Sequence, residues 1–203
     1  AQVKALAQAA EKIVKNQNSE LARSRYLSVE GSTRKLNAIK NVPNEDNALI
    51  VMMMANGYEE FSGRARASLL RDMIGRWYVD DLRTNKQLGY VVYATDAHIG
   101  NTSGLRFMVQ SPNSSPKAIM AHNERFFKET LTKLEGLTEA EFNRYKQSLL
   151  EKLERKPESL ALEFSEFTSD LARNNPDFNQ RAKMIEAVKA LTHQDIVKFY
   201  REA

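Results

Sequence analysis

The sequence predicts an α+β fold: an antiparallel-type sheet with helices packed on one face, and a C-terminal helical lobe. Three observations carry this. Short β-prone runs fall in the first half of the chain, up to Val109. From Ile119 onward the apolar residues recur only at helical spacings. One long helical pattern, Glu59 to about Leu82, stands between the two groups of strands. Strands and helices that segregate rather than alternate indicate α+β rather than a parallel βαβ fold.

Each element follows from its pattern. Ala1 to Lys15 is rich in Ala, Lys and Gln, with Val3, Leu6, Ala10 and Ile13 on one helical stripe. Tyr26 to Val29 and Arg34 to Ile39 flank Gly31-Ser32 as a hairpin, and Pro43, Asn44 and Asp46 mark a turn. Ala48 to Ala55 is a continuous apolar run, as expected of a strand buried on both faces. In the long helix Leu69, Leu70, Met73, Ile74, Trp77 and Tyr78 form a wide stripe. Leu88 to Ala94 and Leu105 to Val109 are strands separated by Asp96 to Ser103. Leu105, Phe107 and Val109 alternate with Arg106, Met108 and Gln110, so one face is buried and the other wetter.

The helices of the second half announce their own ends. Ile119, Asn123, Phe126, Phe127, Leu131 and Leu134 share a face, and Gly136 stops that helix. Thr138 with Glu141 makes a capping box, and Leu137 with Phe142 its hydrophobic staple. Phe142, Tyr145, Leu149 and Leu153 line the helix that follows. Pro157 interrupts it, and Leu160, Phe164, Phe167 and Leu171 are expected to line the next. After a break at Asn174-Asn175-Pro176, Phe178 to Leu191 is helical, and Thr192 with Asp195 caps a last helix stapled by Leu191 and Ile196.

Composition excludes several functions. The chain has 203 residues, 30 Lys plus Arg against 26 Asp plus Glu, and a net charge of +4. These charges are interleaved rather than gathered into a patch, so no nucleic-acid partner is expected. The longest apolar run, Ala48 to Ala55, is far short of the ~20 residues that span a bilayer, so no membrane span is expected. With no cysteine there is no disulfide, thiolate zinc site or cysteine nucleophile.

His98, His122 and His193 are dispersed, and neither H-x-x-E-H nor H-E-x-x-H is present. They read as surface or boundary histidines, and no metal site is expected in this chain. No G-x-S-x-G elbow or glycine-rich phosphate loop occurs. Met52-Met53-Met54 reads as strand core rather than a soft-metal site, because neighbours on a strand point to opposite faces. Asp80 and Asp81, at a helix end, read as partners of Arg76, Arg83 or solvent.

The stretch Leu82-Arg83-Thr84-Asn85-Lys86-Gln87-Leu88-Gly89-Tyr90 is different. It joins the long helix to a strand through a short polar turn, and can bring a guanidinium and a phenol together. Two such donors could hold a peptide carbonyl or a developing oxyanion. Equally, Arg83 could pair with Asp80 while Tyr90 packs in the core. The residues alone leave both readings open.

This stretch resembles the L-R-T-x-x-Q-L-G-Y signature of the pitrilysin/insulysin zinc peptidases, the inverted-motif zincins. Gly75-Arg76-Trp77-Tyr78, Gly104-Leu105-Arg106-Phe107 and Asp195-Ile196-Val197-Lys198-Phe199-Tyr200 are similar to the same family, so the resemblance spans essentially the whole chain. Lys86 departs from it, at a position where relatives often carry an acidic residue and which reads as an exposed turn. The resemblance implies the C-terminal, non-zinc part of a metalloendopeptidase. Residues 1–19 would be a helix ending a preceding domain, and residues 20–203 the α+β domain. It implies a closed peptide-degrading chamber, with zinc bound by H-x-x-E-H in the N-terminal half of the same polypeptide. Arg83 and Tyr90 would bind substrate, and Tyr90 would also support catalysis as a transition-state donor. A periplasmic location follows from the resemblance, with a cytoplasmic one also open. The alternative is a peptidase-like scaffold or core subunit without chemistry, acting in protein–protein interaction.

Overall fold

Strand β1 (Asn47–Ala55) opens the part of the chain that the computed structural model describes, residues 46–99, 102–172 and 178–203. The expected first helix, the hairpin around Gly31-Ser32 and the domain boundary at residue 19 lie outside the described residues. Helix α1 (Glu60–Val79) runs into a wider π-helical turn (Asp80–Asn85), followed by strands β2 (Val91–Ile99) and β3 (Thr102–Ser111). Five helices complete the chain: α2 (Pro116–Glu135), α3 (Glu139–Glu154), α4 (Leu160–Ala172), α5 (Gln180–Ala190) and α6 (His193–Glu202). This is the α+β architecture the sequence predicts.

The three strands are antiparallel in the order β1-β3-β2. β3 lies between its neighbours, pairing Phe107 with Val51 and Ala94, and Gln110 with Ala48 and Val91. β2 and β3 are longer than the apolar runs suggest. Ile99 pairs with Thr102, so much of the expected Asp96–Ser103 connection is strand. Cross-strand hydrogen bonds carry these polar residues, and hydropathy does not register that.

β1 corrects an expectation. It alternates instead of being buried on both faces: Leu49, Val51 and Met53 pack on the core, while Ile50 is 55% and Met52 44% exposed. Leu105, Phe107 and Val109 of β3 point to the same side as the helices and are buried, as their alternation predicts. A two-fold side-chain period places half of any strand away from the helical layer, whatever its hydropathy.

The core forms where α1 crosses that inner face. Leu69, Leu70, Met73, Ile74 and Tyr78 are fully or almost fully buried. Tyr78 sits edge-on to Phe107 and to Phe126 of α2, with both ring centroids at 5.0 Å. Each such pair adds ~0.5–1.5 kcal/mol to the burial of its rings. The Tyr78 hydroxyl donates to Asn123 Oδ1 at 2.7 Å, and Asn123 Nδ2 donates to the Ile119 carbonyl at 2.9 Å. That satisfies the one amide on the apolar stripe of α2. Burial pushes the Tyr78 hydroxyl well above the usual phenol range.

The C-terminal helices form a helical layer, but not one apart from the sheet domain: α5 and α6 both pack on α1. Both expected capping boxes are present, at Thr138/Glu141 and Thr192/Asp195. Asp195 Oδ1 also accepts from Arg66 of α1 at 2.9 Å, which ties the C-terminal helix to α1. Its carboxyl is held below the usual range: burial opposes this, but the bonds from Thr192 and Arg66 outweigh it. Helix α4 departs from expectation. Leu160, Phe164 and Phe167 do not line a core, since they are 81%, 66% and 46% exposed. A helical stripe records amphipathicity, and does not name the surface that covers it.

Candidate functional site

The stretch from Leu82 to Tyr90 is built by four backbone features. At the end of α1 the helix widens, and the Lys86 N–H donates to the Asp81 carbonyl five residues back at 3.0 Å. Leu82, in the middle of this turn, is fully buried and anchors it. Gln87 then adopts a left-handed conformation with φ of 52°, which reverses the chain so that the Leu88 N–H reaches the Leu82 carbonyl at 3.0 Å. Leu88 is buried as a second anchor. Gly89 passes against β3 so closely that a Cβ there would lie 1.9 Å from the Gln110 carbonyl oxygen. A π-turn and a left-handed non-glycine residue are both uncommon, and they cluster at functional sites.

The two anchors leave Arg83 and Tyr90 pointing outward and toward each other. Both are exposed, Tyr90 by 81%. The Arg83 guanidinium carbon lies 4.5 Å from the centre of the Tyr90 ring, a cation–π stack. Asp80 does not hold Arg83: its ion-pair partner is Arg76, at 3.5 Å. Tyr90 does not pack in the core. Of the two readings open in the sequence, the structure therefore contradicts the packing one. No described residue pairs with the Arg83 guanidinium or hydrogen-bonds the Tyr90 hydroxyl, so both donors face outward.

Asp81 and Lys86 depart from the reading of the sequence, which gives Asp81 to Arg76, Arg83 or solvent and places Lys86 at an exposed turn. The Lys86 side chain is largely buried and ion-pairs with Asp81 Oδ1. Arg125 of α2 approaches Asp81 Oδ2 at 3.6 Å. Opposite charges five residues apart have no regular meaning on an α-helix; only the wider turn brings them together.

The histidines do not converge on a metal site. His193 Nε2 lies 2.7 Å from the Leu134 carbonyl, and His122 is half-buried on α2. His98 bridges two residues, with Nδ1 3.2 Å from Ser103 Oγ and Nε2 3.3 Å from Asp96 Oδ2. The bond to His98 holds the Asp96 carboxyl down at about 2, with burial opposing it. Ser103, His98 and Asp96 have the composition of a hydrolytic triad but not its arrangement. In a triad Nε2 faces the serine and Nδ1 the carboxylate; here the ring is reversed, and Ser103 is buried beneath α1 at Gly63. Among the described residues no group of three His, Asp or Glu side chains could hold a metal ion. They do not fit a zinc site, so the metal that the resemblance implies is not held by them.

A shaped loop presents two outward donors on an α+β scaffold, and no group of metal ligands occurs among the described residues. Comparison with known proteins gives the class of domain, a C-terminal-type domain of a peptidase. Residues 69–168 match the family model described as "PQQ synthase PqqF-like, C-terminal lobe domain 4". Protease 3 of Salmonella typhi is 30% identical over 205 residues, covering 100% of this chain and 21% of that protein. Human insulin-degrading enzyme is 31% identical over 121 residues, covering 60% of this chain and 12% of that protein. The crystal structure of pitrilysin superposes with a TM-score of 0.84 at 29% identity, covering 100% of this chain and 22% of that one. The chain is homologous to the pitrilysin/insulysin family of peptidases. It spans about a fifth of the length of the Protease 3 relative. Among the described residues no helix is long and apolar enough to cross a membrane.

Proposed function

We propose that this chain acts within a peptide-degrading zinc metalloendopeptidase, closing the substrate chamber and supplying Arg83 and Tyr90 as contacts to the scissile region. The observation that carries the reading is the Arg83–Tyr90 stack, exposed and presented by a loop that buries Leu82 and Leu88 to hold it out. A permanently charged fork and a phenol O–H, fixed side by side, are suited to an extended peptide backbone. Arg83 orients the carbonyls of the bound peptide. Stacking leaves its N–H edge free to donate while its face rests on the ring. The Tyr90 O–H donates to the carbonyl oxygen as that oxygen gains charge, which favours the transition state over the ground state. Peptides and the N-terminal half of the same polypeptide are the partners, with zinc held in that half. The family resemblance supports a periplasmic setting.

The test is kinetics on Tyr90→Phe and Arg83→Ala in the complete polypeptide. Tyr90→Phe keeps the ring and removes the donor, so kcat falls roughly 10²–10³-fold. Arg83→Ala acts mainly on kcat/KM, with a raised KM. An 81%-exposed residue contributes little packing, so the melting temperature stays within about 2 °C in the phenylalanine variant. Normal turnover in both variants would overturn the donor role and leave a binding scaffold as the remaining reading.

A further inference from the structure

We propose that Asp81 and Lys86, with Arg125, form a positioning clamp that sets the attitude of Arg83 on Tyr90. This rests on the functional reading above only for its consequence in catalysis; the clamp is a statement about geometry. The π-turn Asp80–Asn85 is the segment that carries Arg83. The residues that bound it are joined twice. The Lys86 N–H bonds the Asp81 carbonyl at 3.0 Å, and the Lys86 ammonium grips the Asp81 carboxylate. The second link is charged and largely removed from solvent, so it holds the turn more firmly than the backbone bond alone.

Arg125 adds a third attachment. It reaches Asp81 Oδ2 at 3.6 Å from α2 and is itself steadied by Glu129 at 3.5 Å. The carboxylate of Asp81 thus lies between Lys86 of its own loop, which it binds through Oδ1, and Arg125 of α2, whose approach to Oδ2 is an ion pair without a hydrogen bond. Without that restraint, a turn that ends in the left-handed Gln87 would relax toward ordinary helix. Arg83 sits between Asp81 and Lys86, so relaxation rotates its side chain away from Tyr90. None of the three clamp residues needs to touch substrate.

The experiment reads the stack directly. In the 203-residue chain, the Arg83 side-chain protons are displaced upfield by the Tyr90 ring current, and Tyr90→Leu gives the undisplaced reference. Lys86→Glu is expected to move the Arg83 signals to that reference while the fold, judged by dispersed amide signals, is kept. Lys86→Arg should retain the displacement, and exchanging the charges with Asp81→Lys plus Lys86→Asp should restore most of it. If Lys86→Glu does not fold, Lys86→Met makes the same comparison. An unchanged Arg83 shift in a folded Lys86→Glu or Lys86→Met chain overturns the clamp.

A kinetic arm separates this from the functional reading. In the complete polypeptide Lys86→Glu should lower kcat/KM roughly tenfold through KM, and add nothing in an Arg83→Ala background. Full additivity would show that Lys86 does not act through Arg83. If Arg83→Ala and Tyr90→Phe leave turnover intact, the functional reading fails, and the ring-current comparison still decides the clamp.

Discussion

Gly89→Ala tests the construction of the site at its narrowest point. The added Cβ would lie 1.9 Å from the Gln110 carbonyl oxygen and 3.0 Å from its carbon. Both are backbone atoms of β3, the central strand, so neither can rotate away. Ordinary contact begins near 3.4 Å, so the two chains must part by about 1.5 Å. Neighbouring strands sit only ~4.8 Å apart, and Val91, two residues beyond Gly89, pairs with the same Gln110. The separation therefore breaks that pairing and loosens Leu88. Overpacking costs ~1–3 kcal/mol and a lost backbone hydrogen bond ~1 kcal/mol more, giving roughly 2–4 kcal/mol together. The melting point should fall by on the order of 10 °C.

Urea unfolding followed by Trp77, the only tryptophan in the chain, measures this. Gly104→Ala is the matched control. Its Cβ would lie 1.9 Å from the Met53 carbonyl oxygen, but Gly104 pairs with Ala97, six residues along β2 from Val91. Both variants should lose comparable stability, and only Gly89→Ala should also lose the Arg83–Tyr90 stack. A Gly89→Ala chain within about 0.5 kcal/mol of the parent would refute the close-approach argument.

Other outcomes follow from the same structure. The Asp96 carboxyl is held at about 2 against 3.8 in the unfolded chain. Its contribution is therefore present above pH 4 and lost as pH falls from about 4 to 2. With partial exposure discounted it is worth about 1–2 kcal/mol. Urea titrations from pH 7 to 2 should show this fall, flattened in Asp96→Asn; an equally steep fall in the variant would count against it. Thr192→Ala removes one half of a capping box and should cost ~1 kcal/mol. Asp195→Ala should cost about twice that, because it also takes the carboxylate from the partly buried Arg66, which keeps only its bonds to Ser62 and its stack on Tyr58, as chemical denaturation can show. The 203-residue chain, given zinc and a quenched peptide, should hydrolyse at the background rate and retain no stoichiometric zinc by elemental analysis. Chelator-sensitive cleavage by the purified chain would contradict the ligand inventory.

What could be read from the sequence was whatever depends on near neighbours along the chain. The capping boxes at Thr138 and Thr192 satisfy helix-end N–H groups three residues away, so their residue types determine them without any tertiary partner. The alternation of Leu105, Phe107 and Val109 and the stripe of α1 follow from the periods of strand and helix. The nonapeptide from Leu82 to Tyr90 was visible as a pattern, and Arg83 and Tyr90 within it.

Tertiary structure decided the rest, because burial and charge pairing belong to surfaces that meet across the fold. β1 and α4 are as apolar as core elements, yet Ile50, Met52, Leu160 and Phe164 face outward, since no described element packs on those sides. Arg83 chose Tyr90 over Asp80, and Lys86 turned inward to Asp81, because the helix widened to bonds five residues long where Leu82 and Leu88 anchor it. The sequence determined which side chains stood in the loop. Their directions were set by a turn whose hydrogen bonds skip one residue more than the local code expects.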